Sequence, residues 1–229
     1  MKFLQSTICL IFLTTFTINS IAQTRSYGPF SGISIMGGIS TLKVDETNDA
    51  LNSAGLPNIP TNAAIPSFSI LLNSTADPLF VDLSFATART KSSYHAVDLR
   101  FTQTYLDVNM NYSVVNKNRH QFYPSLGFGW AMNELKLVYP SVANNFNQSL
   151  VLPATEKSYT NQYLWYINPR LSYDFALTKR HNILLSARAG YRIGLAGKKW
   201  QIQNSNTDGP RSNASGFYAL IGLTFAIPR

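Results

Sequence analysis

Between residues 182 and 196 the chain alternates without a break. Ile183, Leu185, Ala187, Ala189, Tyr191, Ile193 and Leu195 take one parity; Leu184, Ser186, Arg188, Gly190, Arg192, Gly194 and Ala196 take the other. A two-residue period held this long is an extended strand with one apolar face and one small or polar face. The last stretch repeats it, with Phe217, Ala219, Ile221, Leu223, Phe225 and Ile227 on one side and Gly222 and Thr224 on the other.

The same reading yields eight candidate strands, at about 30–44, 67–73, 79–91, 97–115, 122–138, 159–177, 182–196 and 214–227. Three connections, 74–78, 116–121 and 178–181, are short and polar, which is the composition of tight turns. The segments 45–66, 140–158 and 197–213 are longer and rich in Asn, Ser, Pro and Gly, and 92–96 is brief. With the N-terminus inside the periplasm, the short turns all fall on that side and the long loops outside, the asymmetry of an outer-membrane barrel. No helix, solenoid period or interdomain linker is expected.

Residues 1–22 read as a signal peptide: Lys2 gives the positive start, 8–16 the apolar core, and Ser20, Ile21 and Ala22 the small-residue cleavage site. The barrel domain is then 23–229. The single cysteine, Cys9, falls inside the signal and leaves the mature chain no disulfide. No later segment approaches the roughly 18 consecutive apolar residues of a membrane-spanning helix. Charged residues are 13% of the chain, against roughly 25% in a soluble domain. Basic residues outnumber acidic ones by 19 to 11 but form no run. That pattern excludes nucleic acid as a partner and favours outer-membrane lipid and lipopolysaccharide.

A soluble barrel with its apolar face turned inward would show the same alternation. Three features oppose it. The apolar faces are bulky, as in Trp165, Ile167, Leu171 and Tyr173, whereas the opposite faces hold Gly127, Gly129, Ala131, Ser186 and Gly190. Small residues suit the cramped interior of a narrow barrel. The polar faces lack the dense Lys and Glu of a water-facing wall, and Phe122, Leu126, Phe128, Trp130 and Met132 carry no charge. The expected fold is therefore all-β, an eight-stranded antiparallel up-and-down transmembrane barrel.

At the level of pattern the chain resembles small outer-membrane barrels of the OmpA/OmpX kind and the broader outer membrane protein beta-barrel domain family that includes PorT-like proteins. The carriers are the cleavage region around Ala22, the start Tyr123-Pro124-Ser125-Leu126-Gly127-Phe128-Gly129, the strand Arg188-Ala189-Gly190-Tyr191-Arg192 and the ending 216–225. The resemblance implies the barrel fold and no one activity; the expected role is non-enzymatic, structural or interaction, with a lipid-modifying enzyme, a narrow channel or a PorT-like secretion accessory as the alternatives.

Two sets of inward positions are candidates for function. Asp82, Asp107, Arg170, Asp174, Arg188 and Arg192 form a polar set that is either a charge-paired plug or an ion path; buried charges persist when paired, which favours the plug. Near the outside Val97, Leu99, Phe101, Leu135 and Leu137 reverse the parity of their strands, and Leu164 faces them. They form an apolar cup for a hydrophobic ligand, or a β-bulge resets their parity, or they pack beneath the loops. His95 with Ser92 or Ser93 is the one pair with nucleophilic potential, but no motif supplies its acid, so no catalytic residue is assigned. No metal-ligand spacing and no phosphate loop is present, and no cofactor is expected. Loop 45–66, stiffened by Pro57, Pro60 and Pro66, is either the contact surface for an envelope or external protein partner or simply a variable loop.

Overall fold

A strand that shows apolar side chains to hydrocarbon can leave no backbone N–H or C=O unpaired, so its sheet must close on itself. The computed structural model describes residues 30–73, 79–94, 97–117, 119–139, 155–179, 182–202 and 205–226, and it shows that closure. In chain order the elements are β1 (Phe30–Thr41), α1 (Asp45–Ser53), β2 (Asn62–Ala64), β3 (Ser67–Asn73), β4 (Leu79–Tyr94), β5 (Val97–Tyr112) and β6 (Val115–Lys117). They continue with β7 (His120–Tyr139), β8 (Thr155–Ala176), β9 (Ile183–Gly194), β10 (Lys198–Ile202), β11 (Ser205–Ser212) and β12 (Gly216–Ala226).

Eight of these, β1, β3, β4, β5, β7, β8, β9 and β12, are the staves of an up-and-down antiparallel barrel. Each pairs with the next, and β12 returns to β1 in a register running from Gly32 opposite Ala226 to Ser40 opposite Tyr218. The other strands extend the wall: β2 continues the β3 stave beside β1, β6 pairs with the foot of β7, and the β10–β11 hairpin stands beside β8.

Facing follows parity. On β7, Phe122, Leu126, Phe128, Trp130 and Met132 point outward and stay exposed, while Tyr123, Ser125, Ala131 and Asn133 point inward and are buried. Ten residue steps separate Phe122 from Met132. At ~3.3 Å per residue and a tilt of roughly 40°, they span about 25 Å of height, the thickness of the apolar band on such barrels. Ile35, Leu83, Met110, Leu171, Leu185 and Ile221 continue this belt around the wall. At its foot the His120 ring lies 5.2 Å from Phe175, and its Nδ1 is 2.7 Å from the Tyr173 hydroxyl. Higher up, Phe128 stacks on Trp165 with ring centroids 5.2 Å apart.

Segments 45–66 and 197–213, expected as irregular loops, contain regular structure. Contrary to the expectation of no helix, α1 forms because Asp45 and Glu46 occupy its first turn and Thr47 and Leu51, one turn apart, bury a common face. It stops at Gly55, whose φ of 68° takes the left-handed conformation, with Gly55 N–H bonded to Asn52 O and Leu56 N–H to Leu51 O. β8 starts at Thr155 and β4 runs to Tyr94, both beyond their expected ends. The expected signal peptide, the turn 74–78, most of the loop 140–158, and His95 and His181 lie outside the described residues.

Candidate functional site

Inward parity on the eight staves converges on one lumen, and its middle is polar. All six charged residues singled out from sequence are there: Asp82, Asp107, Asp174, Arg170, Arg188 and Arg192 are each at most 5% exposed. Three carboxylates face three guanidinium groups, so the set carries no formal net charge. Direct pairing is narrower than the expected charge-paired plug. Among the described residues, Asp82 and Arg170 form the one ion pair of the lumen. Arg170 also donates from Nη2 to Asn111 Oδ1 at 2.8 Å and from Nε to Ser125 Oγ at 3.0 Å. Asp82 in turn accepts from Ser84 Oγ at 2.6 Å and from Asn111 Nδ2 at 2.9 Å.

The other four charges meet neutral partners. Arg188 donates to Ser69 Oγ at 2.8 Å and Ser34 Oγ at 2.9 Å, and Ser34 belongs to a hydroxyl chain through Thr224 to Ser186. Asp107 accepts from the Tyr166 hydroxyl at 2.8 Å, and Asp174 from Tyr123 at 2.9 Å. Arg192 lies between two rings, 3.7 Å from the Tyr105 centroid and 4.1 Å from that of Tyr218. A guanidinium desolvated this way is held by the negative ring faces, a contact worth about 2 kcal/mol when buried.

A search of the sequence for charge passes over these tyrosines. Tyr105, Tyr123, Tyr166 and Tyr218 are at most 2% exposed, and strand parity alone would have placed them inside. Glycine makes their space. A Cβ on Gly129 would sit 2.8 Å from Tyr166 Cζ and 2.6 Å from Asp107 Cβ; one on Gly190 would sit 2.7 Å from the Tyr218 hydroxyl. The small faces read from sequence are thus the moulds of the large side chains opposite.

Above the polar layer, Leu99, Phe101, Leu135, Leu137 and Leu164 point inward and are at most 5% exposed, with Val97 packed at their edge. No bulge resets their parity: β5 and β7 stay in continuous register, and the one irregularity nearby lies between β7 and β8 at Ala131 and Asn133. What reverses is the solvent. Beyond Met132 the outward positions become Glu134 and Lys136, so the wall has left the apolar band and its greasy face turns in. The cup is filled by the chain itself. Leu42, Val44, Leu51, Ile59, Ile65 and Trp200 join the same cluster, Trp200 meets Phe101 edge-on at 6.3 Å, and its Nε1 donates to Thr47 Oγ1 at 3.3 Å.

The nucleophile pair fares differently. Ser92 donates to the Asn58 carbonyl at 2.5 Å and Ser93 to Asp98 at 2.7 Å, while His95 is outside the described residues. Among the described residues no group of His, Cys, Asp and Glu is placed to hold a metal.

No protein-family model matches the chain, and no curated protein is similar to it in sequence. Solved structures share its fold. Neisserial surface protein A is 9% identical, with 89% of this chain and all of that one covered and a TM-score of 0.52. A major outer membrane protein of Thermus thermophilus is 9% identical over 86% and 99% of the two chains, with a TM-score of 0.50. Ail of Yersinia pestis, crystallised with the heparin analogue sucrose octasulfate, is 15% identical over 86% and 98%, with a TM-score of 0.46. At such identities the likeness to the first two is one of fold. That fold is the bacterial outer-membrane β-barrel, and the apolar belt lays the staves across that membrane.

Proposed function

We propose that the chain is a non-enzymatic structural or interaction protein of the outer membrane that meets its partner on the extracellular side. The observation that carries this reading is the filled axis of the barrel: a neutral polar layer packed by four tyrosines, sealed above by an apolar layer that the chain's own first loop completes. A barrel built to conduct leaves a wet path through its core, and one built to hold a lipid inside leaves its cup open. Here both volumes are occupied by side chains.

Loop 45–66 keeps two faces. Thr47, Leu51 and Ile59 are turned into the barrel, with Val44 just ahead of them, and Asp45, Glu46 and Asp49 of α1 remain exposed at the top. Held down by its buried side, this surface loses little conformational freedom when it binds, which suits it to an envelope or external protein partner. Reconstitution into planar bilayers tests the sealed axis, with no single-channel steps expected. Affinity capture with and without residues 45–55 tests the surface; loss of a partner on deletion is expected, and steady currents through the intact protein refute the reading.

A further inference from the structure

The wall above the apolar band carries a feature that neither the lumen nor the loops use. Strand register sets Lys91 of β4 opposite Arg100 of β5, and Arg100 opposite Lys136 of β7. All three lie on the outward parity, with Lys91 and Arg100 exposed and Lys136 half-buried. Arg89 is outward on the next row down, beside Thr102. Directly opposed residues have Cβ atoms about 4.5–5.5 Å apart, and like charges so placed repel. Three cations therefore stand within about 10 Å across adjacent strands, an arrangement that weakens the sheet unless an anion lies over it.

The chain's own carboxylates meet this charge only in part. Glu134 pairs with Lys136 at 3.3 Å, and Asp98 is engaged by the Ser93 hydroxyl. Among the described residues no carboxylate pairs with Arg89, Lys91 or Arg100. Position then selects the ligand. Lys136 lies four residues beyond Met132, where the continuous apolar row of β7 gives way to Glu134 and Lys136, which is about 10 Å of height at ~3.3 Å per residue and roughly 40° of tilt. Arg89 is one row lower, and long cationic side chains reach further toward the interface. The cations thus stand at the level of the head groups beside the barrel, facing sideways into the leaflet rather than up into the medium.

From this we infer that the outward row Lys91–Arg100–Lys136, with Arg89 beneath it, is a binding site for the phosphate groups on the head-group sugars of the outer-leaflet glycolipid. The guanidinium of Arg100, central in the row, can take a phosphate bidentately, and the flanking ammonium groups add charge without fixed geometry. The inference rests on the outer-membrane placement above and is independent of the partner at the top.

The test uses the full-length protein inserted in vesicles and the Lys91→Gln/Arg100→Gln double variant, whose changes lie on the exposed outer wall above the apolar belt and away from the packed lumen. Heat-shifted gel mobility checks that both are folded. Native mass spectrometry then measures retention of phosphorylated lipopolysaccharide, of the same material stripped of phosphate, and of a soluble sulfated glycan. The wild type should hold phosphorylated lipopolysaccharide about thirtyfold more tightly than the variant at low salt, each cation near a membrane surface contributing about fivefold. That difference should shrink at high salt and vanish with the dephosphorylated material. Equal retention by the two proteins overturns the site, as does a preference of the wild type for the soluble glycan over lipopolysaccharide. Failure of the wild type to insert in vesicles overturns the placement and the site together; insertion with equal affinities overturns the site alone.

Discussion

Replacing Arg170 by Met isolates the energetics of the lumen. The guanidinium is 5% exposed, forms an ion pair with Asp82, which is 1% exposed, and donates to Asn111 and Ser125 as well. Methionine fills most of the volume and removes every donor, leaving the Asp82 carboxylate buried without its counter-charge. Breaking a buried pair from one side costs about 3–5 kcal/mol. The bonds from Ser84, Asn109 and Asn111 to Asp82 survive and put the expected loss near the lower end, about 3 kcal/mol, or roughly a hundredfold in the unfolding equilibrium. Adding Asp82→Asn removes the orphaned charge, and the double variant should recover at least half of the loss. Urea titration of vesicle-inserted protein reads both, because Trp130 and Trp165 sit on the outer wall and report insertion by fluorescence. The reasoning fails if Arg170→Met lies within about 1 kcal/mol of wild type, or if the double variant is as unstable as the two single losses summed.

Other parts of the barrel make separate predictions. Gly129→Ala drives a methyl against Tyr166 and Asp107 and should lower stability by about 1–3 kcal/mol, with Gly129→Ala/Tyr166→Phe no better, because Asp107 Cβ and the Leu106 carbonyl remain in the way; urea midpoints decide. Leu126→Arg puts a charge on the belt at a residue 60% exposed to the bilayer and should cost about 2–4 kcal/mol in vesicles, read by the same titration. Leu51→Asp should release α1 from the cup, so that limited proteolysis cuts within 45–66 while heat-shifted gel mobility of the barrel persists and planar bilayers stay silent. A conducting Leu51→Asp variant would show that the loop, and not the polar layer beneath it, closes the axis.

The staves are legible in the sequence because hydrocarbon outside and crowding inside impose opposite demands on alternate residues. Phe122 to Met132 and Ile183 to Ile193 show both demands without interruption. Parity also assigns Asp82, Arg170 and Arg192 to the interior, but says nothing of which side chains meet across it. Partners there depend on the stagger of strands far apart in the chain, so Arg192 between Tyr105 and Tyr218 could not be read from any one strand. Helix α1 is hidden in the sequence because its stability comes from burying Thr47 and Leu51 in a mouth that other strands build; locally it is marked by Asp45 and Glu46 in its first turn and Gly55 past its end. At Leu135 and Leu137 the pattern reads as a change in the strand, whereas the strand is regular and its surroundings change from hydrocarbon to a polar zone.

The pairing of β1 with β12 has a consequence for biogenesis. The hydroxyl contact between Ser34 and Thr224 joins residues 190 positions apart, and every bond of that register waits for the final stretch of the polypeptide to be delivered. Until then the growing sheet is a ribbon with two raw margins, able to zip onto any other extended chain it meets. Such late, distant joining is slow. The nascent protein must therefore be kept apart from its siblings until its last strand arrives, and a version ending before residue 216 would lack the strand that joins β9 to β1.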